Sequence, residues 1–114
     1  MLPKIVLDQL EIFNAFEGDY IKFGNSFCTD AVESLNFIEF LRKKNLIILG
    51  IDTFNVFIEE SIKLQPNSDE DIHNSKKYKK LPDGNYHWDV AKQFISDKRK
   101  KHLIFDIDWT PYIP

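Results

Sequence analysis

One cysteine and four scattered glycines leave this 114-residue chain short of several kinds of chemistry. Cys28 stands alone, so no intrachain disulfide can form, and a chain this short without such a staple points to a reducing compartment. Gly18, Gly24, Gly50 and Gly84 are too far apart for a phosphate-cradling loop, and no nucleophile elbow is present. The longest uninterrupted apolar stretch, Leu46 to Ile51 counting Gly50, falls far below the roughly 20 residues that a membrane helix needs. Near the N-terminus, Asp8 and Glu11 cut the apolar run short, which fits neither a signal peptide nor a lipidation motif. These shortages predict a soluble, cytoplasmic protein with no membrane partner.

What is present supports a packed core. Hydrophobic residues make up 43% and aromatics 14%, with ten Phe, four Tyr and two Trp, a composition that opposes disorder. The length suits one domain. Net charge is −3, but it is unevenly spread. Residues 1–75 carry a net −7, residues 76–101 a net +6 and residues 102–114 a net −2, which predicts a partner that reads charge.

Periodicity gives the elements. Val6, Leu10, Phe13 and Phe16 fall at helical spacing before Glu17-Gly18-Asp19 breaks the pattern. Tyr20–Phe23 predicts a short strand closed by Gly24-Asn25. A helix is expected over about Asp30–Lys44, capped by Asp30 with Glu33 in the spacing of a capping box. Its buried stripe should be Ala31, Leu35, Ile38 and Leu41, widened by Phe37 and Phe40, and Asn45 can close it in a left-handed conformation. Leu46–Leu49 predicts a central strand, and Phe54, Val56 and Ile58 a half-buried one, with Gly50 between them marking a bulge or a close backbone approach. A polar loop follows at about 65–85, then a helix over about His87–Lys100 with Trp88, Ala91, Phe94 and Ile95 inward. Leu103, Phe105, Ile107 and Trp109 alternate with Ile104, Asp106 and Asp108 in a last, amphipathic strand. The expected architecture is a single α+β domain over residues 1–114. It is a small, mainly antiparallel sheet packed against two or three helices, with an exposed loop at about 65–85.

Few constellations carry chemistry. His73, His87 and His102 are 14 and 15 residues apart and match no zinc spacing, so the expectation is no metal, no cofactor and no catalytic residue. Cys28 reads as a small core hydrophobe, although a place just before a helix start can lower a thiol's pKa. Asp106 and Asp108 share one strand face about 7 Å apart, and Asp52 and Glu59-Glu60 end other strands. A divalent-metal hydrolase built on these acids is one alternative, and a plain acidic solvent face is the commoner explanation. The basic segment 76–101, with Tyr78 and Tyr86 near its lysines, offers a second alternative, a nucleic-acid-associated regulator, which the acidic remainder of the chain disfavours.

One stretch is more particular. Phe27-Cys28-Thr29-Asp30-Ala31 opens a helix that ends at Lys44-Asn45, and Leu46-Ile47-Ile48-Leu49-Gly50-Ile51-Asp52-Thr53-Phe54 follows at once. This resembles the helix-then-strand core of the Immunity protein 40 family, small bacterial proteins encoded beside polymorphic toxins. Ile48-Leu49-Gly50 and Asp52 match the family's Ile-Leu-Gly-Gly-Asp-Val-Tyr-like motif, while Ile51 replaces its second glycine and Thr53-Phe54 stand for Val-Tyr. Asn85-Tyr86-His87-Trp88 and the helix after it resemble the family's C-terminal helix. The resemblance implies a cytoplasmic antitoxin, not an enzyme, that binds and neutralises one cognate toxin domain. Because many such toxins are basic nucleases, acidic side chains are the nominated contacts. They are Asp52, Glu59, Glu60, Asp106 and Asp108, with Tyr112 as an exposed aromatic anchor. Trp109 is a weaker anchor candidate, since its parity places it inward with Phe105 and Ile107.

Overall fold

The computed structural model describes residues 4–24, 26–58, 62–67, 70–73, 75–99 and 103–111. In chain order the elements are α1 (Lys4–Phe16), β1 (Ile21–Phe23), β2 (Ser26–Thr29), α2 (Ala31–Lys43), β3 (Leu46–Ile58), β4 (Ile62–Pro66), α3 (Trp88–Asp97) and β5 (Leu103–Pro111). The fold is α+β: among the described residues one antiparallel five-stranded sheet runs in the order β1-β2-β5-β3-β4, with three helices.

Local chemistry sets the helix ends. Phe13 is buried in α1, and the helix stops where Glu17 takes a left-handed φ of 59° and its N–H donates to Phe13 O at 3.2 Å. A Cβ at Gly18 would clash with the end of the Phe16 ring, so a larger residue there would displace that ring. Asp30 caps α2 by accepting from the Glu33 N–H at 2.8 Å, and Asn45 leaves it at φ 59° as its sequence position predicts. The buried face of α2 is Ser34, Phe37, Ile38 and Leu41, turned slightly from the expected stripe, so that Ala31, Leu35 and Phe40 lie only partly buried. Ser34 is drawn inside because its hydroxyl meets Thr29 Oγ1 at 2.6 Å. In α3 the expected Ala91, Phe94 and Ile95 are buried.

The strands depart further from expectation. Leu46–Ile58 is one strand of 13 residues rather than two, and Gly50 marks a β-bulge between Ile48 and Gly50 that leaves Leu49 outside, 45% exposed. Strand β2 replaces the expected approach to a helix, because Phe27 and Cys28 gain two partners, β1 and β5. Strand β4 lies partly where the polar loop was expected, and a segment with so few alternating apolar residues gives little strand signal.

Residues directly opposite one another in antiparallel strands share a face, as do alternate residues along a strand. On one face Phe27, Ile48, Ile51, Phe105 and Ile107 join Phe13, Phe37, Leu41, Ala91 and Phe94 in the main core. Aromatic rings fill its centre: Phe13 stacks on Phe37 with centroids 4.5 Å apart, and Trp109 meets Phe37 edge-on at 5.5 Å. Trp109 thus lies inward with Phe105 and Ile107, as its parity requires. On the other face Ile21, Cys28, Asp106 and Asp52 stand abreast across four strands, with Ile104 and Phe54 paired beside them. Cys28 and Ile104 are buried there yet belong to no part of the helix-packed core. Among the described residues this second face carries no helix.

Segment 67–86 completes β3. Strand β4 pairs only with Phe54–Ile58, which would leave the first half of that edge with bare backbone groups. Instead Asn67 N–H donates to Thr53 O at 2.9 Å, Ile72 N–H to Ile51 O at 3.1 Å and Tyr86 N–H to Ile48 O at 2.7 Å. The segment is therefore not uniformly exposed: Asp71, Ile72 and Tyr86 are buried, whereas Lys76, Lys77, Lys79 and Lys80 are exposed.

Candidate functional site

The second sheet face brings together three of the chain's carboxylates. Asp52 on β3 is directly opposite Asp106 on β5, and Asp108 is opposite Gly50, so three acids occupy neighbouring positions. Alternation on β5 brings Asp106 and Asp108 together, and the β3–β5 register adds Asp52. Asp106 departs from the expected acidic solvent face, for it is only 8% exposed. The reason is its place on the central strand, between β2 and β3, where neighbours on both sides shield it.

Segment 67–86 supplies two residues that sequence spacing missed. His73 Nδ1 lies 3.3 Å from Asp52 Oδ1, and His73 Nε2 lies 3.6 Å from Asp71 Oδ2. Asp71 is held in place by its other oxygen, which accepts from the Thr53 N–H at 2.8 Å. Gly50 makes room for this arrangement: a Cβ there would lie 3.4 Å from His73 Cβ, so a side chain longer than alanine's would displace the imidazole. Strand alternation could not have signalled this pair, because the chain bends at Ile72 and turns at His73.

Crowded acids in a shielded place resist ionisation. Burial, followed by the charge of Asp108, pushes the Asp106 carboxyl up to about 7, with a hydrogen bond from Ser26 opposing the shift and Asp52 adding to it. Asp52 is raised by burial and then by Asp71, with His73 opposing. Asp108 is raised by burial and then by Asp52, again with His73 opposing. Cys28, next in the row, is pushed up to about 12 by burial and then by Asp106 and Asp52. Cys28 is thus buried as its reading as a small hydrophobe expects, and its place before α2 does not lower its pKa, because burial and the neighbouring carboxylates favour the protonated thiol.

Of the nominated contacts, the structure brings Asp52, Asp106 and Asp108 together on one face. Glu59, Glu60 and Tyr112 lie outside the described residues. Flanking the acids on the same face, Ile21 and Phe23 of edge strand β1 are 43% and 46% exposed. The basic segment is arranged differently. Lys77 pairs with Asp97 at 3.1 Å, Lys92 with Glu39 and Lys98 with Glu70, so part of its positive charge is neutralised within the molecule.

No family model, curated protein or solved structure matches this chain. The likeness to the Immunity protein 40 family accordingly rests on the motifs of the chain itself. No helix among the described residues is long and apolar enough to cross a membrane.

Proposed function

We propose that this chain is an immunity-type inhibitor that binds a cationic toxin domain with the helix-free face of its sheet, acting by occlusion and not by catalysis. The observation that carries the reading is the composition of that face, where Asp52, Asp106 and Asp108 share one surface with half-exposed Ile21 and Phe23, which lie on β1 across β2 from the acids. An apolar patch on a face that also carries acids is suited to a basic protein surface: the apolar side chains favour a dry contact, and a cationic partner favours the ionised form of the acids. A standard interface buries roughly 800 Å² per partner. The Ile48–Phe54 stretch, which carries the family resemblance, contributes Asp52 to the same face. In this reading the protein works in the cytoplasm of the cell that makes the toxin.

A nucleic-acid regulator is less well supported, because Lys77, Lys92 and Lys98 already have acidic partners. Co-expression with the toxin encoded beside its gene tests the proposal. The chain should restore growth, and the Asp52→Lys, Asp108→Lys double variant should restore it less. Growth no better than with toxin alone would sink it.

A further inference from the structure

From the grouping of Asp52, Asp71 and His73 beside Asp106, we infer a binding site for one divalent transition-metal ion at the edge of the open sheet face. One carboxylate oxygen from each aspartate and one ring nitrogen of His73 lie within 4.8 Å of one another. Octahedral donors around a small divalent ion stand about 3 Å apart when adjacent and about 4 Å when opposite, from metal–ligand distances near 2.1 Å. The imidazole turns Nδ1 to Asp52 and Nε2 to Asp71, so gathering all three donors on one ion requires rotations of the ring and of the Asp52 carboxylate. Asp52 and His73 can make them, since both side chains are 39% exposed.

The third donor is already set. Asp71 is 7% exposed, its Oδ1 is fixed by the Thr53 N–H, and its Oδ2 faces His73. A carboxylate tied by one oxygen and presenting the other is how outer-shell hydrogen bonds orient metal ligands. Asp108 stands opposite Gly50, the residue whose Cβ position faces His73.

Asp106 supplies a separate indication. Its Oδ1 is buried without a hydrogen-bond partner, on a residue more than nine-tenths buried and directly opposite Asp52. A buried carboxylate oxygen without a partner is costly, and neighbouring carboxylates make it worse. Asp106 stands opposite Asp52 in the β3–β5 register, so a cation held by Asp52 would lower the cost of a negative charge on this oxygen. Imidazole with carboxylates favours Mn²⁺ or Zn²⁺ over the harder Mg²⁺ and Ca²⁺.

The site shares Asp52 with the proposed toxin contact, but it is tested on the chain alone, without a toxin. The test is titration of Mn²⁺ into the metal-stripped full-length protein, following loss of the free-ion paramagnetic resonance signal. One ion should bind per chain, Zn²⁺ should displace it, and the melting temperature should rise with Mn²⁺. His73→Ala and Asp52→Asn, both at half-exposed positions, should each weaken binding by about tenfold or more. Absence of a one-to-one site in the unaltered protein would overturn the inference. So would a site that both variants leave unchanged. The melting-temperature measurement needs no variant, so a substitution that failed to fold would still leave a decisive result.

Discussion

The two faces of one sheet differ in almost everything except their strands. The face under the helices holds Phe27, Ile51, Phe105 and Ile107, packed against aromatic rings from α1 and α2. The opposite face holds Cys28, Ile104 and the Asp52–Asp106–Asp108 group, with Ile21 and Phe23 half exposed at its margin. The register that aligns Phe105 with Thr53 also aligns Asp106 with Asp52, so neither face can shift without the other. Stability is therefore concentrated on one side, while the other carries crowded charge that opposes folding when ionised. A protein keeps such a face when something outside the fold makes use of it.

The largest expected effect comes from breaking the helix-covered face. Phe37 is fully buried and stacks on Phe13, so Phe37→Ala should cost about 3–5 kcal/mol of folding stability, measured by urea unfolding. A loss below about 1 kcal/mol would mean the rings are not the centre of the core.

The next effect comes from the open face and has the opposite sign. The Asp106 carboxyl sits at about 7 in the folded protein, against about 3.9 in an unfolded chain. The folded state thus holds this proton more tightly. The stability it confers is complete below about pH 4 and is lost as the pH rises through about 7. In chelator-treated buffer, Asp106→Asn should be more stable than the parent at pH 8 by on the order of 2–4 kcal/mol, with the difference closing at acid pH. Equal pH slopes for the two proteins would show that Asp106 ionises freely.

The smallest effect tests whether the margin of that face is free. Phe23→Ser should leave stability within about 0.5 kcal/mol, since the ring is 46% exposed, yet weaken association with the proposed toxin partner. A folding loss above about 1 kcal/mol would instead assign Phe23 to the core.

Legibility followed the range of the interactions. Helices α2 and α3 and strand β5 were readable because their signals are local: a cap at Asp30, a 3.6-residue period and a strict alternation from Leu103 to Trp109. Strand β2 was not, because Phe27 and Cys28 become a strand only through β1 and β5, and the second of these lies about 75 residues away. The acids at 106 and 108 were legible as a pair, but the burial of Asp106 depends on which strand occupies the centre of the sheet.

The sequence by itself determined an α+β chain with capped amphipathic helices, one unpaired thiol and acids separated from a basic segment, since these follow from residue type and spacing. Only the tertiary structure decided that Asp71 and His73 join Asp52. Their segment gains its position from backbone bonds to the open edge of β3, and no local period records where such an edge will need them.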